Sequence, residues 1–541
     1  HTRWATHGQP NQPNSHPHTS ADGTISLVHN GIIENAEVLR ARLIPMGYEF
    51  VSDTDTEVVV HLIDAAWGEG DRLEDAVAAA LQQVRGAYGI AVISSRDPGK
   101  LVAARNGSPL MLGVGANGAH FVASDAAAML AHTRDVVYLD DGDYAVLTAK
   151  SYSVFHLDRG VVSRGVSRIG WDLTDVEKGG WDHFMLKEIM EQPTSIANVM
   201  RGRLREEEGD ARLGGIIVSD AELRRVKKII ITACGTSWHA GLIGEYLLED
   251  VARIPVEVEY ASELRYRNPV IDPDTLVIAI SQSGETADTL AALREVKERG
   301  ALTMGIVNTV GSSIARETDF GVYLHAGPEI GVASTKAFTS QIVALLLFTL
   351  YMARRRDMSI VQGREWVQAL QRLPEQVARV LELDDQIRAL AEKYRGASNA
   401  LYLGRGYQFP VALEGALKLK EVSYVHAEGY PAAEMKHGPI ALIDEEMPVV
   451  VLAPHDPIYE KVVSNIEEVR ARQGRVIAIL TEGNVDLDGK VDDLIAVPDT
   501  LPSMLPVLTS IPLQLFAYHA AVLRGADVDQ PRNLAKSVTV E

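Results

Sequence analysis

Small hydroxyl residues cluster in the middle of the chain, in the motif Ser281-Gln282-Ser283-Gly284-Glu285-Thr286. An apolar run over residues 276–280 precedes the motif, and a helical pattern over 287–297 follows it. The first N–H groups of a helix lack intrahelical partners and favour negative charge, and a glycine permits close approach of the backbone. The motif therefore predicts a phosphate site. The alternative is an ordinary helix cap, in which Ser283 or Thr286 satisfies one amide.

A second group of candidate residues is charged. Glu414, Lys418 and Glu421 are spaced i, i+4 and i+7, which places them on one face of a helix. Such a group could perform acid–base chemistry. Spacing alone favours the alternative, a solvated stripe of salt bridges.

Two other features predict no site. His16 and His18 flank a proline in a Pro-rich loop with no nearby carboxylate or cysteine cluster, so we expect no metal there. Cys234 is the single cysteine, which excludes an intrachain disulfide and suits a reducing cytoplasm. We expect it to be a small apolar filler.

The length and composition indicate a large enzyme of several domains. The chain has 541 residues, of which 46% are hydrophobic, and its formal net charge is −21. About 150 residues per domain suggests three or four domains. The negative charge disfavours binding to nucleic acid or to an anionic membrane. The longest apolar run, 342–353, is too short to span a bilayer, and the three arginines after it favour a buried helix.

The elements that must position these residues change character along the chain. Residues 1–150 contain short strand patterns and one amphipathic helix at 56–67, which predicts an α+β domain with antiparallel sheets. Residues 172–225 are predominantly helical and predict a connecting segment. From residue 226 onward, strands and helices alternate, which is typical of parallel α/β folding.

The α/β part carries an internal duplication. Aligning Gly235 with Gly406 gives an offset of 406 − 235 = 171 residues, and related phrases follow at 261–266 and 432–437. Two doubly wound α/β domains are the simplest account. Residues 454–459 of the second copy lack the hydroxyl cluster, so we expect one phosphate site per chain.

Several long motifs together resemble the glutamine–fructose-6-phosphate aminotransferase (isomerising) family, also called glucosamine-6-phosphate synthases. The motifs span the whole chain and lie at residues 1–8, 28–35, 53–57, 281–286, 331–336, 413–422 and 529–541. The resemblance implies a truncated α+β N-terminal-nucleophile amidotransferase domain at 1–160 and a helical connecting segment at 161–225. It also implies two doubly wound α/β sugar isomerase (SIS) domains, at 226–370 and 371–541.

The resemblance implies that glutamine nitrogen converts fructose 6-phosphate to glucosamine 6-phosphate, a first step of amino-sugar synthesis, without a metal or organic cofactor. The family's glutaminase nucleophile is a cysteine at the mature N-terminus. This chain begins at His1, and its only cysteine is Cys234. We therefore expect a fragment that lacks the N-terminal segment with this cysteine and that hydrolyses no glutamine.

The resemblance also assigns glutamine-site residues. Arg3 would pair with the α-carboxylate of glutamine, and Asp55 with its α-amine. Asn30 and Gly31 would form the oxyanion hole. Trp4 would gate the ammonia passage, or alternatively pack as a core aromatic. His7 would assist in glutamine binding, or alternatively have a structural role.

In the isomerase half, the resemblance implies a sugar-phosphate cradle and contacts to the sugar hydroxyls. The cradle would consist of Thr236, Ser237, Ser281, Gln282, Ser283 and Thr286. The hydroxyl contacts would come from Val332, Ala333 and Ser334.

The implied catalytic residues are five. Lys536 matches the Schiff-base lysine, whose pKa should be lowered by burial or a nearby cation. Glu421 matches the base that moves a proton between C1 and C2, and Glu414 and Lys418 match groups near the ring oxygen and hydroxyls. His437 matches a ring-opening acid/base supplied by the neighbouring subunit, which implies a homodimer.

Two other classes of function remain alternatives. A sugar-phosphate isomerase or deaminase without glutamine chemistry would not need Arg3, Asn30, Gly31 and Asp55. A non-catalytic sugar-phosphate sensor would not need Lys536 and Glu421.

Overall fold

A computed structural model describes residues 1, 6–170 and 176–539. They fall into two compact units. The first unit comprises His1–Glu177, Glu285–Ala287 and Ser537–Glu541, and the second comprises Lys178–Gly284 and Asp288–Lys536.

The first unit is built from antiparallel sheets and three helices. Its strands are β1 His18–Thr19, β2 Ile25–Ile33, β3 Gly86–Ser94, β4 Lys100–Asn106, β5 Met111–Val114, β6 His120–Ala123, β7 Asp135–Tyr138, β8 Asp143–Thr148, β9 Tyr152–His156, β10 Gly160–Val162 and β11 Ser167–Arg168. Its helices are α1 Ala36–Leu43, α2 Thr56–Ala66 and α3 Leu73–Leu81. One sheet has the order β1-β2-β3-β4-β8-β9-β10, and the other has the order β11-β7-β5-β6.

Side-chain alternation explains how this unit is layered. Along β4, Val102 and Ala104 point into a core shared with the three helices, whereas Ala103 points into a core shared with the second sheet. Because successive strand residues face opposite sides, one strand serves both cores. The result is a helix layer, a seven-stranded sheet and a four-stranded sheet. The antiparallel α+β character predicted from the sequence is confirmed.

The second unit opens with short elements and continues with two α/β domains. The opening elements are α4 Phe184–Met190, α5 Gln192–Met200, β12 Leu204–Arg205, β13 Asp210–Ala211 and α6 Asp220–Arg225. The first α/β domain contains β14 Lys228–Ala233, α7 Gly235–Val251, β15 Val256–Tyr260, α8 Ala261–Tyr266, β16 Thr275–Ser281, α9 Ala287–Glu298, β17 Leu302–Val307, α10 Ser313–Glu317, β18 Phe320–Tyr323 and α11 Lys336–Arg354.

The second α/β domain follows two helices. These elements are α12 Ile360–Leu381, α13 Asp384–Lys393, β19 Asn399–Gly404, α14 Gln408–Ser423, β20 His426–Pro431, β21 Pro448–Ala453, α15 Tyr459–Arg470, β22 Arg475–Thr481, β23 Asp493–Val497 and α16 Leu505–Leu523. The strand orders are β15-β14-β16-β17-β18 and β20-β19-β21-β22-β23, and every pairing is parallel. The two sheets therefore share one topology, and the predicted duplication of a doubly wound domain is confirmed.

The sequence reading missed one strand in each copy. It predicted that 276–280 and 448–453 were the second strands, whereas β15 and β20 come before them along the chain. Both missed strands lie at a sheet edge. The related phrases at 261–266 and 432–437 follow these edge strands directly.

Two helices of the second unit, α11 and α16, are long and apolar enough to cross a membrane by length and composition. Their apolar windows are 100% and 94% buried within the protein. Both are core helices, which for α11 agrees with the prediction made from the arginines after its apolar run. Helix α11 is longer than the apolar run at 342–353, because it also contains polar residues such as Lys336 and Gln341, which are buried as well.

Candidate functional site

The hydroxyl motif lies where β16 ends, at the carboxyl edge of the first parallel sheet. The Ser281 hydroxyl, which is buried, accepts a hydrogen bond from the Gly284 N–H at 3.0 Å. Gly284 has φ +68°, and a Cβ there would lie 2.0 Å from the Ser312 hydroxyl. Only glycine fits this turn. Gln282 and Ser283 are half-buried within it, and Thr286 directly precedes α9.

A second strand end contributes Thr236 and Ser237, which lie in the first turn of α7 after β14. The Thr236 hydroxyl donates to Glu414 Oε1 at 3.1 Å and accepts from Lys418 Nζ at 3.0 Å. The Ser237 hydroxyl accepts from Gln341 Nε2 at 2.9 Å. The N-terminal turn of α7 is thus joined to α14 of the second domain and to α11 of its own.

The charged trio on α14 is largely buried. Lys418 and Glu414 are each 1% exposed, and Lys418 Nζ lies 2.6 Å from Glu421 Oε2 and 3.4 Å from Glu414 Oε1. His239 Nδ1 meets the other Glu414 oxygen at 2.7 Å. The alternative of a solvated stripe is therefore wrong, because α7 covers this face of the helix.

Burial opposes the charge on Lys418, but Glu414, Glu421 and Glu329 outweigh it and raise the pKa of Lys418. The lysine therefore stays cationic throughout the physiological range. A fixed cation with two carboxylates can orient sugar hydroxyls and leave Glu421, the more exposed carboxylate, to accept a proton.

Lys536 lies against the loop that precedes α11. Its Nζ is 2.5 Å from Glu329 Oε2 and 2.8 Å from the Gly331 carbonyl oxygen. Its side chain is 22% exposed, whereas that of Glu329 is fully buried. The sequence predicted burial or a neighbouring cation around Lys536, and the structure instead places a carboxylate in contact with it.

The residues that the sequence predicts to contact the sugar belong to that same loop. The Val332 N–H donates to the Asp529 carbonyl at 3.0 Å, which ties the loop to the segment after α16. Ala333 is buried and Ser334 half-buried. The Ser334 hydroxyl has no hydrogen-bond partner within 6–170 and 176–539. An inaccessible hydroxyl of this kind needs a local rearrangement before it can bind a ligand.

Glu188, on α4, is a residue that the sequence reading missed. Its Oε1 accepts hydrogen bonds from the Ile330 and Gly331 N–H groups. Burial, followed by repulsion from Glu329, raises the pKa of Glu188 to about 8. A signal existed in the sequence, since an acidic residue interrupts the apolar spacing of Met185 and Ile189.

His437 ends a short 3₁₀ helix, Ala432–His437, and is exposed. Gly438 follows it with φ +146°, a conformation that needs glycine. The imidazole of His437 is therefore accessible at the protein surface.

Cys234 precedes α7. Its Sγ lies 3.7 Å from the Thr289 hydroxyl, and burial raises the pKa of this thiol. It packs against the core between the first sheet and α8–α9, as expected of an apolar filler.

In the first unit, the predicted oxyanion residues lie on β2. Gly31 has φ +141°, and a Cβ there would lie 2.0 Å from the Ala87 carbonyl oxygen, so only glycine is accommodated. The Asn30 side-chain amide donates to the Thr539 hydroxyl at 2.9 Å. The Asn30 amide is therefore engaged by the C-terminal tail in this state.

The other predicted glutamine-site residues are placed only in part. Asp55 is buried, and its Oδ2 accepts from the Ile33 N–H at 2.8 Å, while His7 Nδ1 lies 3.8 Å from Oδ1. Arg3 and Trp4 lie outside the described residues.

The histidines of the Pro-rich loop contact threonine hydroxyls. His16 and His18 lie near Thr56 and Thr54, at 3.3 and 3.1 Å. Among the residues that the structure describes, no group of three or more His, Cys, Asp or Glu side chains could hold a metal ion.

The domain families agree with this architecture. The glutamine amidotransferase domain family matches residues 1–131, and the SIS domain family matches 222–351 and 393–524. The two SIS matches begin 393 − 222 = 171 residues apart, the same offset that the repeated glycines gave.

Curated relatives match the chain over its whole length. Glutamine–fructose-6-phosphate aminotransferases (isomerizing) from Chlorobaculum tepidum, Bacteroides thetaiotaomicron and Thermus thermophilus are 58%, 53% and 52% identical to it. Each comparison covers 100% of this chain and 88% of the relative.

Solved structures match about two thirds of the chain. The C-terminal domain of the glucosamine-fructose-6-phosphate aminotransferase from Francisella tularensis is 41% identical, with a TM-score of 0.63, and covers 66% of this chain and 100% of that one. A glucosamine-6-phosphate deaminase from Thermotoga maritima, 22% identical with a TM-score of 0.52, covers 66% of this chain and 100% of its own and shares the fold. From its full-length relatives and its domain order, the chain belongs to the glutamine–fructose-6-phosphate aminotransferase (isomerising) family.

Proposed function

We propose that the protein uses the amide nitrogen of glutamine to convert fructose 6-phosphate to glucosamine 6-phosphate, releasing glutamate. One observation carries this proposal: a glutamine amidotransferase domain and two SIS domains lie in one chain, in the order of relatives more than half identical to it. The substrates are therefore glutamine and fructose 6-phosphate. The single cysteine and the net negative charge suit a cytoplasmic enzyme.

Sugar binding begins at the phosphate. The hydroxyls and amides at the ends of β14 and β16 would hold the phosphate group, with the loop before α11 facing the sugar. The residues assigned to these contacts are Thr236, Ser237, Ser281, Gln282, Ser283, Thr286, Val332, Ala333 and Ser334.

The chemistry then follows in order. His437 opens the ring by proton transfer, and Lys536 forms an imine at C2. Ammonia displaces the lysine amine, and Glu421 moves a proton from C1 to C2, which turns a ketose imine into an aldose amine. Lys418 and Glu414 hold hydroxyls, supported by their burial and mutual contacts.

The glutamine half would supply the ammonia. Asn30 and Gly31 would stabilise the oxyanion, while Asp55 and the unplaced Arg3 would hold the two ends of the amino acid. His7 borders Asp55. Trp4 would gate a dry passage, which keeps ammonia unprotonated and prevents leakage.

A further proposal concerns the nucleophile for glutamine hydrolysis. The 541 residues contain one thiol, which belongs to Cys234 in the first SIS domain, and burial raises its pKa. A thiol with a raised pKa is a poor nucleophile. We therefore propose that these 541 residues by themselves hydrolyse no glutamine and use added ammonia. Release of glutamate by this polypeptide would contradict the proposal.

We also propose a homodimer in which His437 acts in the neighbouring subunit's site. Its exposure supports this role. Mixing a His437→Ala variant with a Lys536→Arg variant should restore one functional site per mixed dimer. Activity should then appear where neither variant alone has any. Activity that stays absent in verified mixed dimers would contradict the shared site.

The overall function is tested by product analysis. Fructose 6-phosphate is incubated with glutamine, with ammonia or with neither, and glucosamine 6-phosphate is quantified. We expect product with ammonia. Isomerised sugar without aminated product would favour the isomerase alternative, and binding without conversion would favour the sensor.

A further inference from the structure

The amine of Lys536, which is partly exposed, lies next to buried carboxyl groups. Its Nζ contacts Glu329 Oε2 at 2.5 Å, and Glu329 is fully buried. Behind Glu329 lies Glu188, which is 2% exposed. Two carboxyl groups are therefore held out of water beside one amine.

Backbone groups fix both carboxyls. Glu329 Oε1 accepts from the Thr335 and Ala337 N–H groups at 2.9 and 3.0 Å. Burial opposes the charge on Glu329, yet Lys536 and these N–H groups hold its pKa below the ordinary value. Glu188 Oε1 accepts the Ile330 and Gly331 N–H groups, and its Oε2 is buried with no hydrogen-bond partner among the described residues.

Other charged groups lie near this pair. Lys187 on α4 and Lys336 at the start of α11 both pair with Glu191, which follows α4, and Lys418 on α14 has its pKa raised in part by Glu329. Asp529, after α16, accepts hydrogen bonds from the Phe184 and Met185 N–H groups at the start of α4. The positive charges of Lys536 and Lys336 both favour the ionised form of Glu188 and partly offset the effect of burial on its pKa.

Imine formation requires that the ammonium of Lys536 lose a proton before it attacks. Two groups contact Nζ in the described residues, the Glu329 carboxylate and the Gly331 carbonyl oxygen. A peptide carbonyl does not take a proton from an ammonium in this pH range. Of the two groups that contact Nζ, Glu329 is therefore the one that can accept the proton.

We propose that Glu329 is a catalytic acid–base residue that takes the proton from Lys536 and later returns it, and that Glu188 is a positioning residue behind it. This inference rests on the proposed function, since it needs Lys536 as the imine-forming amine.

Imine formation at Lys536 conserves both protons and charge. The Lys536 ammonium gives one proton to the Glu329 carboxylate, and the free amine forms a bond from Nζ to C2 while the carbonyl π electrons move to oxygen. A second proton passes from nitrogen to that oxygen. Glu329 then protonates the hydroxyl, which leaves as water, and the protonated imine remains. Glu329 is again a carboxylate and becomes the counter-ion of the imine.

Glu188 acts through the loop rather than on the substrate. Its Oε1 holds the N–H groups of Ile330 and Gly331, and the Gly331 carbonyl in turn accepts from Lys536. Glu188 thereby sets the position of Nζ. Glu188→Gln keeps an oxygen for both N–H groups, whereas Glu188→Ala keeps none.

The test is borohydride trapping of the imine in the full chain with fructose 6-phosphate, followed as a rate against pH. Lys536→Arg should abolish the adduct, because a guanidinium stays protonated. Glu329→Gln should lower the trapping rate at neutral pH by on the order of 100-fold, the range of general acid–base catalysis. It should also replace a level pH profile with one that rises with pH. Affinity for fructose 6-phosphate should not change.

Matched variants separate the outcomes. Glu317→Gln removes a partly exposed carboxylate that pairs with Arg294, and it should leave trapping unchanged. Glu188→Ala should lower the rate, and Glu188→Gln should recover it. A trapping rate and pH profile in Glu329→Gln equal to wild type, or a faster rate, would overturn the inference while leaving the imine role of Lys536 intact. No adduct at Lys536 in active wild type would instead overturn that role.

A folding control completes the design. If Glu329→Gln does not bind fructose 6-phosphate, the trapping rate of Glu329→Asp is measured against pH instead. This variant keeps a carboxylate at a greater distance from Nζ. A reduced rate with a level profile supports the role. A profile that rises with pH like that of a free amine overturns it.

Discussion

At the scale of single residues, the hydroxyls of the phosphate motif are the first to test. Ser283→Ala with Thr286→Ala should raise the KM for fructose 6-phosphate, because each hydrogen bond to a charged group contributes about 1.5–3 kcal/mol. The combined change should exceed about tenfold, since 1.4 kcal/mol corresponds to a factor of ten. The measurement is ammonia-dependent synthesis at varied sugar concentration.

The control for that pair is Ser464→Ala, an exposed serine on α15 that bonds to its own helix. Its KM should match the wild type. A KM for the double variant that also matches the wild type would remove these hydroxyls from the phosphate site.

Glu188 gives a stability prediction with a defined sign. Its pKa rises from 4.5 in the unfolded chain to about 8 in the folded protein, chiefly through burial. The folded state therefore binds an extra proton between these values, and its stability falls as pH rises through them. Because Glu188→Gln cannot ionise, its thermal midpoint relative to wild type should increase from about pH 5 to about pH 8.

Thermal unfolding of both proteins across that range is the measurement, with Glu317→Gln as the neutral comparison. A constant difference between Glu188→Gln and wild type at every pH would mean that Glu188 is ionised in the folded state.

Part of the site could be predicted from residues alone, and part could not. The turn at 281–284 after β16 could be predicted because its geometry depends on neighbouring residues, whereas its role in phosphate binding stays a prediction. The burial of Glu414 and Lys418 could not be predicted, because residues spaced i and i+4 lie on one helix face whether that face is solvated or covered. Their partner Thr236 lies 178 residues from Glu414 along the chain. Glu188 was missed for the same reason, as it lies 142 residues from Ile330.

At the scale of elements, helix α14 depends on its buried cation. Lys418→Met should leave Glu414 and Glu421 without their cation and lower the free energy of unfolding by about 3–5 kcal/mol. Adding Glu414→Gln should recover part of the loss. Both are measured by denaturant unfolding.

Lys393→Met removes the salt bridge from Lys393, an exposed residue of α13, to Asp493 of β23 and should cost under about 1 kcal/mol. If Lys418→Met cost no more than this control, the buried trio would not contribute to the stability of the helix.

The edge strands β15 and β20 show how far the local sequence pattern can predict a strand. Residues 256–260 alternate valine and glutamate, a strand signal that could have been used. Residues 426–431 include Gly429 and Pro431, which disfavour a strand. That segment is extended because β19 offers it a parallel partner over six residue pairs. The duplication itself was the missing signal, since it requires equivalent strands in both copies.

At the scale of the whole molecule, the two SIS domains share one hydrophobic core. Leu345 of α11 and Leu515 of α16 are both fully buried in it, whereas Leu27 belongs to a separate core in the first unit. Leu345→Ala and Leu515→Ala should each cost about 2–5 kcal/mol and shift the same calorimetric transition. Leu27→Ala should shift a different one.

Scanning calorimetry of the three variants checks this expectation. If Leu345→Ala and Leu515→Ala moved two separate transitions, the SIS domains would unfold independently and the shared core would have no cooperative role.

The packing of α7 against α14 has a consequence for how the two copies differ. These helices hold equivalent places in the two copies, so each residue of one has a matching position in the other. The positions that match Glu414 and Lys418 in the first copy, 414 − 171 = 243 and 418 − 171 = 247, are Ile243 and Leu247, both fully buried. The matching helix faces are therefore apolar in the first copy and charged in the second, so a chain with two copies of the fold carries one charged face instead of two.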